Sequence, residues 1–274
     1  MASADAATKL YSERDEKSEA LVLVRLLYPS IILLPLAFLS FHPSFLNTRF
    51  VLPMILSIPI EIVATVLYVK AITVSPLSTT VPMLSFTPLF LILTSYIMLR
   101  EKISALGALG IFLVVSGAYT LHLERPSVTH PFRAMAKEKG PLLMLAVAFI
   151  YSVTSNLGKI CIEASSPVFF AATYLPALTL FYTALLVARK VDIKEIFKPN
   201  KGKIIIGGFI ALSFLFHTQA LNSAFVSYAI AAKRTSLIFA MIYGRILFNE
   251  GRLKEKLTSG ALMLTGVFLI SLCK

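Results

Sequence analysis

Apolar residues in this chain gather into long runs rather than alternating with polar ones. The runs cover 21–40, 51–74, 77–98, 103–122, 141–163, 167–187, 203–224, 227–248 and 256–273, with charges and turn formers between them. Most approach the roughly 20 residues that an α-helix needs to cross a hydrocarbon core. Strands of a membrane barrel would alternate apolar and polar positions over about ten residues, and none of these runs does so. The pattern predicts an all-α integral membrane protein with about nine transmembrane helices. Pro29, Pro35, Pro53, Pro59, Pro82 and Pro88 fall inside the runs. They predict kinked helices whose freed carbonyls are met by neighbours or water.

Composition agrees. Of the 274 residues, 57% are hydrophobic and only 15% charged, where a soluble domain carries nearer a quarter. The net charge of +12 would ordinarily raise nucleic acid as a partner, so the placement of the 26 Lys and Arg residues matters. They concentrate in loops. With loops assigned alternately to two sides, about 17 fall with the N-terminal tail and about 5 opposite, leaving Arg25, Lys233, Arg234 and Arg245 inside runs. The richer side is cytoplasmic by the positive-inside rule, which puts the N-terminus inside and Lys274 outside. No nucleic-acid partner is implied. The stretch MASADAATKLYSERDEKSEA has no apolar core before a cleavage site and does not read as a signal peptide. Cys161 and Cys273 lack the spacing of a disulfide framework or metal site and are assigned to packing.

The chain also repeats. A shift of 149 residues brings Ala71 onto Ala220, Ser78 onto Ser227, Phe90 onto Phe239, Glu101 onto Glu250, Leu113 onto Leu262 and Gly117 onto Gly266. Run lengths, the acid at a helix junction and the small residues of the last helix recur together. The run 141–163 has no partner, because its counterpart would begin before Met1. The expected design is therefore two five-helix repeats, the first lacking most of its first helix. An odd number of helices per repeat inverts the second copy in the membrane, a plan common among secondary transporters. The expected division is a polar tail with a remnant of the first helix at 1–20, a first repeat at 21–124, a loop at 125–140 and a second repeat at 141–274. Glu101 and Glu250 are expected at the membrane surface, where a charge stays solvated. Gly110, Gly117, Gly260 and Gly266, with Ser104, Ser116 and Ser259, predict a small-residue face on each last helix, suited to close packing.

At these residues the sequence resembles the EamA branch of the drug/metabolite transporter superfamily. The repeated ending reads AITVSPLSTTVPMLSFTPLFLILTSYIMLREKISALGALGIFLVVSGAYTL and ALNSAFVSYAIAAKRTSLIFAMIYGRILFNEGRLKEKLTSGALMLTGVFLISL. The resemblance implies a secondary carrier of small metabolites, with ten helices in its members and a first helix that helps line a central cavity.

Several polar residues in apolar runs are candidates for substrate binding or coupling, because an ionisable group at mid-membrane costs roughly 3 kcal/mol or more. Glu61 lies in the middle of its run, and Ser57, Glu61, Thr65 and Tyr68 follow helical spacing. Its expected role is proton carrier or substrate ligand, against a purely structural pairing. Lys233 and Arg234 stand about two turns into their run, with Arg234, Ile238, Met241 and Arg245 on one stripe. Either cation can hold a carboxylate or phosphate, Arg by a two-pronged contact; the alternative is an internal pair with Glu61 or Glu163. His217 and Gln219 map by the shift onto Tyr68 and Lys70, as polar groups around a pseudo-two-fold axis would. Asn156 and Lys159 belong to the helix that the resemblance implies lines the cavity.

No phosphate-cradling glycine loop, zinc-helix pattern or nucleophile elbow occurs in the sequence. An intramembrane enzyme is thereby disfavoured, and no cofactor or metal is expected. The expected function is a secondary transporter of small polar or anionic metabolites working by alternating access. Its partners would be a small-molecule substrate, a proton or other coupling ion, and the lipid of a cell or organelle membrane. The alternative is a transport-inactive structural or assembly protein on the same scaffold.

Overall fold

In the computed structural model the described residues are 18–75, 80–121, 138–239, 242 and 257–273. Among them the secondary structure is helical throughout. The α-helices are α1 (Ser18–Leu39), α2 (Thr48–Val74), α3 (Thr87–Leu99), α4 (Ala105–Leu121), α5 (Lys139–Ala164), α6 (Pro167–Ala188), α7 (Lys201–Ser223), α8 (Val226–Arg234) and α9 (Leu257–Ser271). Among the described residues six helical stretches are long and apolar enough to cross a membrane, including Pro82–Leu99, and two shorter apolar helices accompany them. The expected remnant of a first helix, most of the tail at 1–20 and most of the loop at 125–140 lie outside the described residues, as do Met241, Arg245 and Glu250.

The prolines act in two ways. Helices α1 and α2 run through Pro29, Pro35, Pro53 and Pro59 without a break. Pro82 and Pro88 do not kink a helix from within. The run breaks into a 3-10 segment (Val81–Phe86) followed by α3, and each proline occupies a first turn, where its missing N–H removes no intrahelical bond. Helix α8 stops at Arg234, with Thr235 in a turn. Helix resumes at 236–239, so the expected stripe from Arg234 to Ile238 is broken by that single turn residue.

Cα packing divides the chain into two compact units, each assembled from both halves of the sequence. The first comprises Met1–Ile62 and Gly158–Ser223, the second Val63–Leu157 and Ala224–Lys274.

In the first unit α1 packs on α6 and α7. Leu23, Val24, Tyr28, Tyr182, Leu186 and Ile196 form its apolar centre. The Tyr28 hydroxyl donates toward the carbonyls of Ile196 and Lys198, each 3.1 Å away, and Ser30 Oγ meets Thr179 Oγ1 at 2.8 Å. Gly207 lets α7 approach closely: a Cβ there would lie 2.5 Å from Tyr28 Cβ. Ser166 begins α6 by accepting from the Phe169 N–H at 3.1 Å, the ordinary satisfaction of an orphan N-terminal donor.

The second unit is built around α4 against α9. A Cβ on Gly110 would lie 2.7 Å from the Gly266 carbonyl, and one on Gly117 2.6 Å from the Ser259 carbonyl. The backbones touch here because no side chain stands between them. Thr120 Oγ1 and Ser259 Oγ are hydrogen-bonded across the contact at 2.9 Å. Gly260, which the shift of 149 matches with Gly110 only after a one-residue slip, instead faces Ile238 at 3.9 Å and has room for a methyl group. Ser104 also acts locally, accepting from the Gly107 N–H at 3.1 Å to cap α4. Both cysteines are free thiols, Cys161 buried and Cys273 half-buried.

Candidate functional site

Helix α8 carries Arg234, and its start is set by an acid. Arg100 adopts a left-handed conformation, φ 61°, and ends α3. The next residue, Glu101, is only 8% exposed. Both its carboxylate oxygens accept from the Val226 N–H, at 3.0 and 3.1 Å. This departs from the expectation of a solvated surface acid: Glu101 is withdrawn from water and neutralises the positive end of the α8 dipole.

At the other end of α8, Arg234 Nη2 donates to the Leu84 carbonyl at 2.9 Å and to Thr87 Oγ1 at 3.1 Å. Part of the side chain remains accessible, but Nε is closed off from solvent and has no hydrogen-bond partner among the described residues. The described ion pairs supply no carboxylate for it. Lys233, beside it, is half-buried and engaged elsewhere. Two further polar groups of the second unit are sealed without partners among the described residues. Asn156 on α5 is 0% exposed with both carboxamide atoms unmet, and the equally buried Ser227 Oγ is unmet as well. Tyr68 borders the cluster formed by Ala64, Ala71, Met83, Tyr119, Met144 and Val147. Lys70 is exposed and engaged.

In the first unit Lys159 is 7% exposed. Its ammonium donates to the Leu221 carbonyl and, at 3.3 Å, to the Asn222 carbonyl, and lies 3.5 Å from Glu163. A cation at the last carbonyls of α7 is favoured by the helix dipole and satisfies acceptors that the helix leaves orphaned. The α2 face with Ser57 and Glu61 is withdrawn from solvent, whereas Leu52, Ile55 and Leu56 stand 54%, 60% and 47% exposed. Ser57 Oγ donates to the Met54 carbonyl at 2.9 Å, and Glu61 is half-buried and partnered. The α2 polar stripe therefore does not share the apolar outer face.

His217 is half-buried on α7, its ring 6.0 Å from Phe214. Phe214 stacks on Tyr174 at 6.2 Å, and Tyr174 on Phe170 at 5.0 Å. This aromatic ladder was not singled out in the sequence, although its i,i+4 and i,i+3 spacings are visible there. Gln219, two residues beyond His217, is exposed. Ser227 enters the sequence reading only as a repeat match and Thr87 not at all, since a hydroxyl in an apolar run says nothing of its tertiary partner.

These features define a multi-pass, all-α integral membrane protein with ionic and amide groups withdrawn into its interior. The chain belongs to the EamA-like transporter family, whose model matches residues 1–123 and 138–272. A protein described as an uncharacterized transporter in Methanothermobacter thermautotrophicus is 27% identical over 184 residues, which are 66% of this chain and 53% of that protein. The match thus spans about half the length of that relative. A solved crystal structure of a protein aligns with a TM-score of 0.75 over 99% of this chain and 93% of its own, at 13% identity. That likeness concerns the fold alone.

Proposed function

We propose that this chain is a secondary carrier of small polar or anionic metabolites, working by alternating access between two inverted repeats. The observation that carries the reading is Arg234. A guanidinium withdrawn from water, bound to a carbonyl and a hydroxyl, keeps a sealed Nε donor unmet. A half-buried cation with no acid beside it among the described residues is costly, and an arriving carboxylate or phosphate offsets that cost by charge-assisted hydrogen bonds. Glu61 is the proposed coupling group, as an ionisable side chain in the middle of α2 set off from the apolar outer face. Tyr68, Asn156 and Lys233 are proposed to add polar contacts to substrate within the second unit, and His217 within the first. Lys159 is proposed to act through α7, whose end it holds.

The test is flux into proteoliposomes, using labelled dicarboxylates and sugar phosphates beside their neutral analogues. Arg234→Ala is expected to raise the apparent substrate constant at least about tenfold for the anion, the effect of losing roughly 1.4 kcal/mol, with little change for the neutral analogue. Equal effects on both would reject the anchor.

A further inference from the structure

Three polar groups of the second unit share one peculiarity. Asn156 Oδ1 and Nδ2, Ser227 Oγ and Arg234 Nε are all shut off from solvent, and none has a hydrogen-bond partner among the described residues. Ser227 and Arg234 lie seven residues apart on α8, two turns along the same helical face. Asn156 stands in the interior of α5, itself 0% exposed. Buried polar groups are nearly always bonded, and a low dielectric raises the cost of each unmet one. Both residues are 0% exposed, so bulk water does not reach their polar atoms. The cost therefore belongs to this conformation and disappears in one where the groups are wetted.

We propose that the second unit has another conformation in which Asn156 and Ser227 meet water or substrate, and that their unmet polar atoms bias the chain toward it. This rests on the carrier reading, for which two conformations of comparable free energy are required. The residues are thereby determinants of the conformational equilibrium. Removing one unmet group stabilises the closed form over the open one, the reverse of what loss of a satisfied core residue does.

The experiment is amide hydrogen exchange on the full chain in lipid nanodiscs without substrate, read over 150–157 and 226–234. The chains compared are the wild type, Ser227→Ala and Asn156→Leu. Ser227→Ala removes only a hydroxyl; Asn156→Leu keeps the branched shape without its polarity. Exchange slowed at least about fivefold in either variant, the change expected from relieving one unmet group, supports the proposal. Unchanged or faster exchange in both overturns it. Because no substrate is present, that failure would leave the Arg234 flux test standing, and a chain that carries nothing would fail the flux test with the exchange result intact.

Discussion

Two charges of opposite sign fix the ends of α8, Glu101 at its first N–H and Arg234 in its last turn. Each has the sign that its end of the helix dipole favours. Replacing Glu101 by Ala leaves the buried Val226 N–H without an acceptor and is expected to destabilise the protein by about 2 kcal/mol. Glu101→Gln, which retains a neutral acceptor, should lose roughly half as much; equilibrium unfolding in mixed micelles checks both. Glu61 has a different expected signature. Glu61→Gln should reach the membrane and keep its fold but lose the dependence of flux on a pH gradient, and unchanged coupling would remove it from the mechanism. The difference between these two acids was only partly legible in the sequence. Hydropathy placed Glu61 mid-run and Glu101 at a junction, but the N–H that Glu101 meets belongs to a residue 125 positions away.

At the scale of elements, helix positions followed directly from the apolar runs because length and hydrophobicity decide what crosses a bilayer. The ends did not. Prolines at 82 and 88 convert the beginning of one run into a 3-10 segment, and α8 halts at Arg234 inside another. Glycines illustrate the same limit. The sequence offered four for close packing, and Gly110, Gly117 and Gly266 do meet a facing backbone while Gly260 does not, because one residue of slip turns a helix position by about 100°. Gly266→Ala is therefore expected to force α4 and α9 apart and destabilise the protein by about 1–3 kcal/mol, whereas Gly260→Ala should be neutral or slightly stabilising by helix propensity. Thermal melts of the two variants in the same detergent distinguish them.

For the molecule as a whole, charge distribution carries the expected orientation and buried polar groups carry the expected work. The basic stretch from Arg189 to Lys203 should lie on the cytoplasmic side. A cysteine substituted for Lys194 should react with an impermeant maleimide only after the membrane is opened. The class of molecule was legible from the runs and the duplicated ending, since both depend on local sequence. The isolation of Asn156 was not, because a missing partner is a property of everything packed around a residue. Alternating access is tested most directly by counterflow in proteoliposomes loaded with an unlabelled anion that the flux panel identifies. A carrier predicts that internal substrate accelerates uptake of external label, transiently above equilibrium, and that Arg234→Ala loses this acceleration. Uptake indifferent to internal substrate, or no uptake of any compound in the panel by well-folded protein, would contradict it.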